Sequence, residues 1–219
     1  TDADLNVAIG YSALTSDTLG SRSVAIGDGA LYSQNFTSAT DTYNVAVGSA
    51  AGLYISTAVN NTLIGGLAGD ALTTGNENVA VGFEALSTED AHGGATAVGS
   101  GALKTQNAGA TSFNTAVGYL AGNLVTTGIK NTIVGALAGD ALTDADFNVA
   151  LGYNTLSSDT LGSQTVAIGS GALYTQNFTS ATASNNTAVG HDAGNKVTTG
   201  QQNTFIGGLA GDATDDGAD

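Results

Sequence analysis

The stretch Asn6–Gly10 reads NVAIG, and its recurrence along the chain decides the fold. An Asn-(Val/Thr)-Ala-(Val/Ile)-Gly pattern returns with its glycine at Gly10, Gly27, Gly48, Gly65, Gly82, Gly99, Gly118, Gly135, Gly152, Gly169, Gly190 and Gly207. Successive glycines lie 17 residues apart, except for 21-residue steps after Gly27 and Gly169 and a 19-residue step after Gly99. Self-similarity at a fixed short period marks a stacked-coil architecture. Here it gives twelve coils.

A longer period lies above the short one. The fourth, eighth and twelfth coils share NTLIGGLAGDA (Asn61–Ala71), NTIVGALAGDA (Asn131–Ala141) and NTFIGGLAGDA (Asn203–Ala213). The insertions all fall in the second, sixth and tenth coils. Residues 1–219 therefore read as a single repeat array of units 1–72, 73–142 and 143–214, with a short tail 215–219. The first and third units match at 48 of 72 positions, which points to duplication of the whole four-coil block.

Within a coil, the recurring glycine serves as position zero. Position −1 is Val, Ile or Leu, position −3 is Val or Thr, and position −2 is Ala in nine coils. It is bulky only at Leu63, Ile133 and Phe205. Strand residues alternate between faces, so −1 and −3 share one face and are expected to form the core. The alanine face is expected to admit a close second layer of backbone. The glycine ends the strand at a positive-φ turn or where backbones crowd. Position +3 is Ala in eleven coils, so a second short apolar segment, such as Gly29–Tyr32, reads as a second strand. Position −4 is Asn at Asn6, Asn44, Asn61, Asn78, Asn114, Asn131, Asn148, Asn186 and Asn203. Stacked asparagines at a corner can build a side-chain ladder, and Asn tolerates left-handed backbone. The expected fold is all-β: a parallel β-solenoid of twelve ~17-residue coils, forming a rod of about 58 Å at about 4.8 Å per coil.

Composition narrows the function. The chain has 32 Gly, no Cys, Pro, Met or Trp, and 4 Lys+Arg against 19 Asp+Glu, for a formal charge of −15. Without cysteine there is no disulfide framework, thiolate nucleophile or Cys-ligated zinc. The negative charge argues against a nucleic-acid partner, which needs cations to displace counterions. No apolar run approaches the roughly 20 residues of a membrane span, so the chain is not expected to be membrane-embedded. The absence of any Met marks it as a piece of something longer. With Ala opposite the aliphatic row, a lone coil stack encloses little apolar volume and leaves a flank exposed. Several copies are expected to pack side by side, most simply as a homotrimer.

Repeats such as NVAIGYSALTSDTLGSRSVAIGDGAL (Asn6–Leu31) and NTAVGYLAGNLVTTGIKNTIVG (Asn114–Gly135) resemble the head repeats of trimeric autotransporter adhesins. They are also similar to NTAVG-type arrays in phage and bacterial fibre proteins. The resemblance covers nearly the whole chain. It implies a left-handed β-roll, trimerisation and a structural or adhesive role as a fibre segment. It also implies an extracellular setting, at a cell surface or on a virion, with a surface glycan or protein as receptor. The coil is slightly longer than the usual autotransporter head coil, and neither a membrane anchor nor a chaperone is present.

No catalytic, metal or cofactor residues are expected. Asp70, Asp140 and Asp212 recur at one position but read as exposed turn residues about 19 Å apart if the coils stack. Asp2-x-Asp4-x-Asn6 and Asp144-x-Asp146-x-Asn148 open like a calcium loop but lack its glycine and terminal Glu. His92 and His191 sit in unrelated contexts and read as surface residues, and no nucleophile–base–acid arrangement recurs. The aromatic residues of the longer coils, Tyr32, Phe36, Tyr43, Tyr174 and Phe178, are candidates for ligand or inter-chain contact, or for packing on the coil flank. Two other readings remain open beside the fibre: a subunit of a self-assembling extracellular filament, and an ice- or surface-binding solenoid. The mixture of Val and Thr at −3 interrupts the continuous threonine row that the latter needs.

Overall fold

A computed structural model of the chain describes residues 3–213. Asp2 and the tail 215–219 therefore lie outside the described residues. Regular structure among the described residues is all β, with one three-residue strand per coil and four two-residue strands beside the longer coils. The chain divides into two compact units, Thr1–Thr111 and Ser112–Asp219. The first unit stacks Val7–Ile9, Val24–Ile26, Val45–Val47, Thr62–Ile64, Val79–Val81 and Thr96–Val98, all in parallel. The second stacks Thr115–Val117, Thr132–Val134, Val149–Leu151, Val166–Ile168, Thr187–Val189 and Thr204–Ile206 in the same way. Register is position on position, as in Val45↔Thr62 and Thr62↔Val79. This is the parallel β-solenoid of twelve coils that the 17-residue period predicts.

Only one strand forms per coil, because a full turn in 17 residues leaves little straight chain. The rest is corners. In the third coil Gly48 (φ 141), Ala50 (φ 56), Gly52 (φ 59) and Asn60 (φ 61) all have positive φ, at positions 0, +2, +4 and −5. Every coil repeats this set, and 26 non-glycine residues are held in it. Left-handed backbone costs an L-residue roughly 1 kcal/mol or more, so a coil is stable only because its neighbours over-determine it. The second apolar segment is therefore a run of turns rather than the expected second strand. The left-handed corner before the strand falls at −5, on residues as different as Tyr43, Glu77 and Lys130, and not on the asparagine at −4.

At position zero the glycine is required twice over. Its φ of 126–142 lies far from the left-handed well that other residues reach. A Cβ on Gly118 would also lie 2.5 Å from the carbonyl oxygen of Gly135 in the next coil.

The interior reverses the expected sidedness of the strand. Ala25, Ala46, Ala80 and Ala97 at −2 are fully buried, while the residues at −1 and −3 face outward and are at least partly exposed. The coil is so narrow that its lumen is filled from both sides by small groups, −2 alanines facing +3 alanines such as Ala30, Ala51 and Ala68. Volume is balanced between rows. Where +4 is Leu, as at Leu31 and Leu86, the −2 residue of that coil is Ala. In the fourth coil, Leu63 at −2 fills the space over Gly69 at +4, where a Cβ would meet its side chain at 2.7 Å. Each compact unit thus closes a thin core of its own.

Candidate interaction face

The outer surface of the sheet follows from strand alternation. With −2 inside, residues −3 and −1 stand outside, and the corner residues at −5 and +1 extend the same face. Position −1 is aliphatic in every coil, so an unbroken apolar row runs along each compact unit. Beside it, −3 alternates between Val and Thr. Within a strand pair these rows lie about 4.8 Å apart from coil to coil. Large rings flank the row at +1: Phe83 in the first unit, Tyr119 and Tyr153 in the second, each more than half exposed. At −5 the cations stack on rings of the following coil. The guanidinium of Arg22 lies 5.8 Å from the ring centre of Tyr43 and pairs with Asp41 at 3.1 Å. Lys130 Nζ lies 4.9 Å from the ring centre of Phe147.

The five aromatic residues of the longer coils divide. Tyr32, Tyr43 and Tyr174 are exposed, at 44%, 54% and 40%. Phe36 and Phe178 are buried, so neither offers its ring to a ligand. The extra residues fold back on the preceding coil through short parallel pairs, Gly20–Ser21 with Thr40–Asp41 and Gly162–Ser163 with Thr182–Ala183. That brings Phe178 over Gly162.

The asparagine row is a ladder, built from side chain to backbone. Asn78 N donates to Asn61 Oδ1 at 2.9 Å, and Asn61 Nδ2 donates to Gly75 O at 2.9 Å. The same pattern joins Asn131 to Asn148 N and Ala145 O. Each amide thus satisfies two backbone groups of the next coil, where an unpaired group would cost about 1–3 kcal/mol.

A second interior row at +7 escaped the reading of the sequence. Within a block it runs acid, Gln, β-branched aliphatic, Leu: Asp17, Gln34, Ile55 and Leu72 in the first. Gln34 Nε2 donates to Asp17 Oδ2 at 2.6 Å and to Ser23 Oγ at 2.9 Å, while its oxygen accepts from Asn44 Nδ2. Gln176 repeats this with Asp159, Thr165 and Asn186. Burial raises the Asp159 carboxyl above its usual range, against hydrogen bonds from Gln176, Phe178 N and Gly162 N that lower it. Aligning the blocks at +7 rather than at the glycine would have revealed the row.

Asp70 and Asp140, read as exposed turn residues, are half-buried, and one carboxylate oxygen of each is buried without a partner. Desolvation raises both above the ordinary carboxylate range, with Glu84 adding repulsion at Asp70. His191 is exposed beside Asp192. Among the described residues no helix is long and apolar enough to cross a membrane. No protein-family model matches the chain, and neither any curated protein nor any solved structure matches it.

Proposed function

We propose that this chain is a non-catalytic shaft or head segment of an extracellular fibre, on a bacterial surface or a virion, which works as a side-by-side homotrimer. The observation that carries the reading is the outward aliphatic row at −1, continuous along each compact unit and bordered by exposed rings. Monomeric soluble proteins rarely leave so long an apolar patch in water. Packing this face against two other copies removes it, while the −15 charge of each chain keeps finished fibres apart. Stacked ladders and glycine corners supply stiffness. The exposed Tyr32, Tyr43 and Tyr174 are the residues placed to meet a surface glycan or protein receptor.

Sedimentation equilibrium on the intact chain tests the assembly. The expected species has three times the 21.3 kDa chain mass. Val81→Lys with Ile168→Lys, one −1 residue in each unit, should give a monomer with an unchanged circular dichroism spectrum. A wild-type chain that stays monomeric at high concentration refutes the trimer. The terminal strands Val7–Ile9 and Thr204–Ile206 favour a second reading, end-to-end filaments, because they are far more exposed than their interior counterparts. Negative-stain images separate discrete particles from long fibres.

A further inference from the structure

The turn after the fifth coil departs from its two counterparts. Residues 87–95 read STEDAHGGA where the first block has TSDTLGSRS (Thr15–Ser23) and the third SSDTLGSQT (Ser157–Thr165). All three turns are closed by an acid that accepts from the backbone N three residues on. Gly20 N donates to Asp17 Oδ1 at 2.8 Å, Gly162 N to Asp159 Oδ1 at 3.0 Å, and His92 N to Glu89 Oε1 at 3.2 Å. That job accounts for Glu89. It does not account for Asp90 and His92, which stand where the other blocks have Thr and Gly.

These two changes converge on the buried acid. His92 Nδ1 lies 3.3 Å from Glu89 Oε1, and one ligand atom each from Glu89, Asp90 and His92 fall within 4.8 Å of one another. Other substitutions in the middle block clear space around them. In the third block the ring of Phe178 lies 2.8 Å from where a Cβ on Gly162 would stand. The counterpart of Phe178 is Ala108, which leaves room for the imidazole. Leu19 and Leu161 become Ala91, and Arg22 and Gln164 become Gly94. A cavity of about 270 Å³ opens there, lined by His92, Gly94, Glu77, Asn76 and Thr74 among others. A ring filling the space of Phe178 would account for His92 alone, not for Asp90 beside it.

We propose that Glu89, Asp90 and His92 form a site for one divalent transition-metal ion of the zinc class. Two ligand atoms bound at about 2.0–2.1 Å to a tetrahedral ion lie about 3.3 Å apart, the separation of His92 Nδ1 and Glu89 Oε1. One imidazole with two carboxylates suits such borderline ions. The outer shell is already built. Gln106 Nε2 and Ala108 N both donate to Glu89 Oε2 at 3.1 Å, which holds the carboxylate with Oε1 toward the histidine. The ion replaces the proton between Nδ1 and Oε1, which leaves to solvent. The cavity provides the remaining coordination position with water. The site lies within the first compact unit and does not depend on the fibre reading.

Isothermal titration of the tag-free intact chain with Zn²⁺, and visible absorption with Co²⁺, tests the site. The expected result is one ion per chain, with affinity lowered roughly tenfold or more in both His92→Gln and Asp90→Asn. Both side chains are at least partly exposed, and each variant should keep the wild-type circular dichroism spectrum. His191→Gln should bind as wild type does. No saturable binding to the wild type, equal binding by His92→Gln, or loss of binding in His191→Gln each overturns the proposal.

Discussion

Replacing Gly82 by alanine tests the packing of coil on coil. Gly82 has φ 137, and an added Cβ would lie 2.5 Å from the carbonyl carbon and oxygen of Gly99 and 2.9 Å from Ser100 N. Ordinary contact begins at 3.4 Å, so the next coil must retreat by the difference, about 0.9 Å. Gly99 N donates to Val81 O at 2.7 Å, and the same retreat stretches that bond to about 3.6 Å, beyond hydrogen-bonding range. A strained backbone conformation costs about 1–3 kcal/mol, and a buried unpaired group about 1–3 more. The variant should lose about 2–6 kcal/mol, a large part of the 5–15 kcal/mol typical of a domain. Gly109→Ala is the matched control, with nothing within 4 Å of its Cβ and no positive φ; it should stay within about 0.5 kcal/mol of wild type. Urea unfolding followed by circular dichroism reads both. Because contacts in a solenoid are nearest-neighbour, amide exchange should rise first in Val79–Val81 and Thr96–Val98. A Gly82→Ala chain with the wild-type midpoint, or a Gly109→Ala chain equally damaged, refutes the reasoning.

Three further outcomes are expected. Asn61→Leu leaves Asn78 N and Gly75 O without their partner and should cost about 2–4 kcal/mol in thermal or urea unfolding; an unchanged stability would show that water replaces the amide. Leu63→Ala empties the one large −2 side chain between Gly52 and Gly69 and should cost about 2–5 kcal/mol by the same assay, since two glycines cannot refill the space. Asp70 and Asp140 have folded pKa values raised above 3.8 by burial, so their ionised forms destabilise the fold at neutral pH. That penalty is relieved as pH falls through the folded pKa toward 3.8. Asp70→Asn with Asp140→Asn should therefore flatten the gain in urea midpoint between about pH 7 and pH 4; a slope as steep as wild type would contradict it.

Much of the coil was legible in the residues. Gly10 and its eleven repeats announce the period, Val79–Val81 and its counterparts the strand, and Asn61 the ladder, because each acts on the equivalent position of the neighbouring coil. A period transmits such information directly: whatever one coil needs, the next supplies in register. The partition of the aromatic residues was not legible, since Phe36 and Tyr32 sit four residues apart in one polar stretch and only the fold-back of the longer coil buries the first. Nor was the link from Asp17 to Gln34, which lies one full turn away and on a row offset from the glycine.

The sequence by itself determined that this chain is a stack of parallel coils, since no other fold uses a 17-residue spacing with an obligatory glycine at each step. Which side of the strand faces inward was decided only by the tertiary structure. Alternation defines two faces but does not rank them, and hydrophobicity alone favours Val and Ile as the core. Closure of a turn in 17 residues sets a lumen that alanine fills and valine does not, so the larger side chains are displaced to the surface. The apolar face that carries the functional proposal is a consequence of that narrow radius.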